Sequence, residues 1–170
     1  YLTKYHLFGA EKASMIYGAF VGLVYMMPII GGYLSDRYLG SRKAVTYGAI
    51  LLVLGHGLMA FHGSAAYMDG GVVVRDELYL KVFFLALALI ITGVGFLKAN
   101  ITTIVGALYG PKDPRRDSGF TIFYLGLNFG AFVSMLIVGY VGETYGWNYG
   151  FSIAGIGMFC GFLGFFLGQK

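Results

Sequence analysis

Lys98 makes the strongest chemical demand in this sequence. It is the only charged residue in the apolar run Val82–Tyr109. An ammonium at the middle of a bilayer costs roughly 2.5–3.5 kcal/mol. Its stem, on the order of 6 Å long, is too short to carry the charge about 15 Å to the interface. It therefore needs a wet cavity or a partner. Three further polar groups count to a similar depth at about 1.5 Å per helical residue. Tyr25 lies nine residues before Leu34, about 14 Å in; His56 lies twelve after Ala44, about 18 Å; Asn128 lies nine after Gly119, about 14 Å. Lys98 itself, eleven before Tyr109, lies about 16 Å in. A central water-filled site would collect such groups, and scattered substitutions would not. Structural roles compete at each position: carbonyl bonding for Lys98, interhelical bonding for Asn128 and packing for Tyr25. His56, flanked by Gly55 and Gly57, is read as a satisfied core histidine ahead of a proton carrier.

The elements that must hold these groups follow from composition. The 170 residues are 58% hydrophobic and 12% charged, with 28 glycines. Soluble domains run about 45–50% apolar and about 25% charged, so the chain reads as an all-α integral membrane protein. One cysteine, Cys160, excludes an internal disulfide framework or a cysteine metal cluster. Five apolar runs, approximately residues 14–34, 44–61, 82–109, 119–141 and 147–169, are each long enough to cross a ~30 Å hydrocarbon core. They lack the alternation of transmembrane strands, so they are read as helices, which satisfy their own backbone in lipid. Seven basic residues (Arg37, Arg42, Lys43, Lys112, Arg115, Arg116, Lys170) fall on one side, against Lys4, Lys12, Arg75 and Lys81 on the other. The first side is therefore assigned to the cytoplasm. The first run then points inward, which implies an earlier helix, and the chain is expected to be part of a longer protein.

Other chemistries find no support. No carboxylate lies inside a run; Asp36 marks a helix end. No catalytic triad arrangement and no metal-ligand spacing occurs, so neither an enzyme nor a metal site is expected. Gly93-Val94-Gly95 lacks the third glycine of a dinucleotide loop. Asn100-Ile101-Thr102 matches a glycosylation acceptor but lies within the hydrocarbon. The basic loops lack interleaved aromatics, so nucleic acid is not an expected partner. Glycines four apart, at Gly18/Gly22, Gly106/Gly110, Gly126/Gly130, Gly157/Gly161 and Gly164/Gly168, are expected to allow close helix approach.

Three stretches carry a family resemblance. Gly32-Tyr33-Leu34-Ser35-Asp36-Arg37-Tyr38-Leu39-Gly40-Ser41-Arg42-Lys43 resembles the loop 2–3 motif of the major facilitator superfamily. Gly93–Asn100 and Phe120–Gly130 are similar to the fourth- and fifth-helix signatures of its proton-dependent oligopeptide transporter branch. The resemblance implies a major facilitator fold, with this chain spanning transmembrane helices 2–6 of the N-terminal six-helix bundle. It assigns Lys98 to the peptide carboxylate, Asn128 to the peptide backbone or amino end, and Tyr25 to the pocket wall. It assigns Asp36, Arg37 and Arg42 to a cytoplasmic latch between the two halves. Ala99 stands where many members have proline, and the first-helix Glu-x-x-Glu-Arg-Phe motif lies outside the chain.

The function expected is a symporter importing di- and tripeptides by alternating access. The proton gradient is its energy source, and no cofactor is expected. Its partners would be small peptides, the bilayer and the transporter's remaining helices, in a plasma or inner cell membrane. A facilitator for another small anion, such as nitrate or an organic acid, would also use Lys98. A multi-helix membrane scaffold would not need a charge at that depth.

Overall fold

The computed structural model describes residues 1–61 and 63–168. Five long helices dominate: α1 (Ala10–Leu34), α2 (Ser41–Ala60), α3 (Glu77–Ala107), α4 (Arg116–Thr144) and α5 (Trp147–Leu167). All five are long and apolar enough to cross a membrane. A π-helical turn, Ser35–Leu39, extends α1 to Gly40, whose φ of 76° stops the helix and lets α2 begin. Four of the helices, α1 to α4, start earlier than the apolar runs. Glu11 and Lys12 sit in the first turn of α1, and Asp117 in that of α4. A charge ends an apolar window but not a ladder of backbone hydrogen bonds, and it is tolerated where the helix leaves the hydrocarbon.

Between α2 and α3, strands β1 (Tyr67–Asp69) and β2 (Val72–Val74) pair antiparallel, with Tyr67 opposite Val74. Gly70 and Gly71, at φ of 53° and 85°, form the two-residue turn. Asp76 then caps α3: its side chain accepts from the Tyr79 N–H at 3.1 Å. Past Ala99, where a proline would remove a donor, α3 continues unbroken to Ala107.

The core lies along the seam of α2 and α3, where Ala44, Val45, Ala49, Leu52, Met59, Phe83 and Ala86 are buried. Glycine sets the spacing there. A methyl group on Gly48 would lie 2.7 Å from the Gly93 carbonyl oxygen, and one on Gly93 2.8 Å from that of Gly48. α1 meets α3 the same way: Gly31 abuts the Gly95 carbonyl, and a methyl on Gly95 would lie 2.9 Å from Met27 Cβ. α5 packs on α2 and α4. These contacts correct the expectation drawn from four-residue spacing. Gly18, Gly22, Gly110, Gly126, Gly130, Gly157, Gly161 and Gly164 meet nothing within 4 Å in this chain. Spacing along one helix cannot say whether a second backbone crosses there. Much of the remaining apolar surface, including Ile29, Ile122, Leu125 and Met135, is exposed, as suits a solvent of lipid.

Candidate functional site

Tyr25 and Lys98 are brought together by the α1–α3 crossing. Gly95 stands just before Lys98 on α3, and Met27, which it touches, stands two residues after Tyr25 on α1. The close backbones leave the longer neighbouring side chains to meet at the edge of the seam. Lys98 Nζ lies 4.5 Å from the centre of the Tyr25 ring. Such a contact contributes about 0.5–1 kcal/mol where exposed and about 2 or more where desolvated. It steadies the ammonium without neutralising it. Among the described residues Lys98 forms no ion pair, so its charge and its donors remain available to an anion.

Asn128 lies on α4, a helix that packs mainly on α5. Its side-chain amide nitrogen donates to the Tyr124 carbonyl at 2.8 Å, one turn back. With that N–H engaged, the exposed carbonyl oxygen remains as an acceptor. Among the described residues no hydrogen bond joins Asn128 to Tyr25 or Lys98.

His56 Nδ1 lies 2.8 Å from the Leu52 carbonyl oxygen on its own helix. That partner accepts only, so Nδ1–H is the donor. The ring lines a cavity of about 630 Å³ with Phe129 and Ser134 of α4 and Ile153 and Met158 of α5. Close approach does occur beside it, between α5 and α2: a methyl on Gly155 would lie 3.6 Å from His56 Cβ.

At the end of the bundle that carries the basic loops, Arg37 Nη1 donates to the Tyr33 hydroxyl at 2.8 Å, and its guanidinium lies 5.5 Å from the Tyr38 ring. Arg42 is exposed, and its carbonyl accepts from Thr46 Oγ1 at 2.9 Å. Asp36 is exposed and in no ion pair among the described residues. Asp113, in the next loop on this side, is held below its usual carboxylate range by bonds from the Arg115 guanidinium and backbone N–H.

Two groups were missed from the sequence. Asn100, 2% exposed, donates from its side chain to the Phe96 carbonyl at 2.8 Å, within α3. Its place two residues after Lys98 was a usable signal, obscured by the glycosylation pattern. The second is a cluster of aromatics around His6, in a stretch that reads as merely mixed and polar.

A bundle of five apolar helices, each long enough to cross a membrane, is the architecture of a polytopic membrane protein. Comparison with known proteins narrows this. The sequence profile of the POT family matches residues 42–170. The chain belongs to the POT family, and its fold is of the major facilitator type. It is 42% identical over 151 residues to the peptide transporter YePEPT of Yersinia enterocolitica, covering 87% of this chain and 26% of that protein. It is 38% identical over 170 residues to a di-/tripeptide transporter of Lactobacillus helveticus, covering 95% of this chain and 31% of that one. A crystal structure of a peptide transporter POT in complex with sulfate superposes with a TM-score of 0.78 at 42% identity, over 89% of this chain and 28% of that one. A POT family transporter in complex with 5-aminolevulinic acid gives 0.74 at 34%, over 87% and 27%. The chain thus spans less than a third of these relatives' length. It is an integral, multi-pass membrane protein of a transporter family rather than an enzyme class.

Proposed function

We propose that this chain is part of the N-terminal bundle of a proton-coupled symporter that imports di- and tripeptides through a cell membrane by alternating access. The observation that carries the reading is the free ammonium of Lys98, held over Tyr25 within an apolar span. In a medium of low dielectric such a charge attracts a carboxylate strongly. A peptide is a zwitterion, and its other end needs acceptors. The Asn128 side-chain carbonyl, its amide nitrogen tied to Tyr124, offers one. Tyr25 forms the pocket wall beside the lysine. Asp36, Arg37 and Arg42, exposed at one end, serve the latch against the transporter's other half. The proton gradient supplies the energy without a cofactor. A carboxylate outside this chain alternates with the substrate as the anion facing Lys98, which links substrate arrival to proton release.

A lysine alone would also suit another small anion, such as nitrate. The peptide transporters of Yersinia and Lactobacillus favour the peptide. The test is uptake and binding of a matched dipeptide pair, free acid and C-terminal amide, in the full-length protein and in Lys98→Ala. The variant should lose proton-driven uptake and at least tenfold in affinity for the free acid, with little change for the amide. Equal losses for both peptides would remove Lys98 from the carboxylate. Surviving proton-driven uptake would make it structural.

A further inference from the structure

At the end of the bundle opposite the basic loops, the segment before α1 is strapped across the other elements. The Tyr5 hydroxyl donates to the Gly63 carbonyl at 2.6 Å, and the Ala66 N–H to the Tyr5 carbonyl at 3.0 Å. Arg75, between β2 and α3, donates from Nε to the His6 carbonyl at 2.8 Å and from Nη2 to the Leu7 carbonyl at 3.1 Å. Its guanidinium also covers the Phe8 ring at 4.6 Å. Leu7 is held at a φ of 50°, an uncommon conformation for a residue with a side chain. The Tyr1 and Tyr79 hydroxyls bond at 2.7 Å, and Lys4 pairs with Glu143 of α4 at 2.6 Å. One short segment thus ties together α1, the hairpin, α3 and α4.

The pin of this strap is His6. It is 3% exposed. Its ring stacks on Tyr79 at 5.6 Å and 19°, and packs on Phe83 at 5.1 Å, Tyr1 at 5.1 Å and Tyr5 at 5.4 Å. Among the described residues Nε2 is buried with no hydrogen-bond partner. No carboxylate among the described residues pairs with the ring, so a second imidazole proton would bring an uncompensated charge into the nest. The groups around it are the Arg75 cation and the hydroxyls of Tyr1, Tyr5 and Tyr79; Asp76 lies near Tyr5, and the Lys4–Glu143 pair is exposed. We propose that His6 is an acid-sensitive release: neutral, it fills the aromatic nest and closes the strap; protonated, it leaves the nest and frees the outer ends of the helices.

The sign follows from burial. Desolvation, and then Arg75, push the closed-state imidazole below the usual histidine range. An opened strap exposes it at about 6.5. The open form therefore takes up a proton first, and closure weakens as pH falls below about 6.5. If the closed form stays neutral, opening is favoured up to about thirtyfold more at pH 5.0 than at pH 7.5. The device acts on helix ends and stands whether or not the substrate is a peptide.

The experiment is amide hydrogen exchange on the full-length protein in nanodiscs at pH 5.0 and 7.5, corrected for intrinsic rates. The Phe8 and Ala66 N–H groups, bonded to Leu2 and Tyr5, should lose at least tenfold of their protection at pH 5.0. In His6→Gln, which cannot take up a proton, protection should not depend on pH. The rate of imidazole C2-hydrogen exchange at His6 in the unaltered protein should titrate with a midpoint below 6.5. Equal protection at both pH values, a pH dependence that survives His6→Gln, or a midpoint at or above 6.5 would each overturn the proposal. The second outcome would point to Asp76 or Glu143 instead.

Discussion

Replacing Gly48 by alanine tests the packing that organises this bundle. The added methyl would lie 2.7 Å from the Gly93 carbonyl oxygen and 2.8 Å from the Leu97 nitrogen. Both are backbone atoms of α3, so no side chain can swing aside. Ordinary contact begins near 3.4 Å, so α2 and α3 must part by about 0.7 Å along that line. The movement would loosen Val45, Ala49 and Leu52, which are buried in the same seam. Forcing a methyl into a packed core costs about 1–3 kcal/mol, and rigid backbone on the far side places this one toward the upper end. Alanine also regains up to about 1 kcal/mol of helix propensity over glycine. Gly57→Ala measures that gain separately, because a methyl at Gly57 of the same helix meets nothing within 4 Å. The difference between the two variants isolates the steric cost. Thermal unfolding of the purified full-length protein, followed by Trp147 fluorescence together with retention of the monodisperse peak, reads it out. Gly48→Ala should melt several degrees below Gly57→Ala. Indistinguishable midpoints would show that the helices cross less closely than described, and would refute the reasoning for Gly93 and Gly95 as well.

Asp76→Ala removes the side-chain acceptor of the Tyr79 N–H and should cost about 1 kcal/mol; Asp76→Asn, which keeps an acceptor, should recover most of the loss in the same melt. Asp36→Asn should increase labelling of a cytoplasmic cysteine reporter by a membrane-impermeant thiol reagent, because it removes the anion of the proposed latch; unchanged labelling would take Asp36 out of that proposal.

The helices were legible in the sequence because a bilayer imposes a local rule: about 20 apolar residues in a row suffice. Their ends were less so, since Glu11, Lys12 and Asp117 close an apolar window while the backbone ladder runs on. The Gly70-Gly71 turn carried a hairpin signal, passed over in a segment read for its charges. Glycine failed as a guide for a deeper reason. Close approach belongs to two helices at once, and Gly31, Gly48, Gly93 and Gly95 earn their place through partners that no single helix displays. The His6 cluster was hidden likewise, because its members lie as far apart in sequence as Tyr1, Tyr79 and Phe151.

The same argument explains how far the site could be read. Counting residues gives depth, and depth placed Tyr25 level with Lys98, but depth alone cannot turn two side chains toward each other. The turn comes from Gly95. By letting the α3 backbone touch Met27, it fixes the rotation of α1 against α3, and this rotation sets Lys98 over the Tyr25 ring. Among the described residues no corresponding contact ties Asn128 to that pair. α4 meets α3 near the end that carries the basic loops, where a methyl on Gly106 would lie 3.4 Å from the Phe120 ring and Gly119 abuts Tyr109. The two halves of the proposed peptide site thus sit on helices joined at one end. Tyr25 and Lys98 form one half, on helices in backbone contact at Gly95 and Met27. Asn128 stands on a helix whose described neighbour along its length is α5. A ligand held at both ends, as the proposed function requires, would have to bridge the α1–α3 pair and α4.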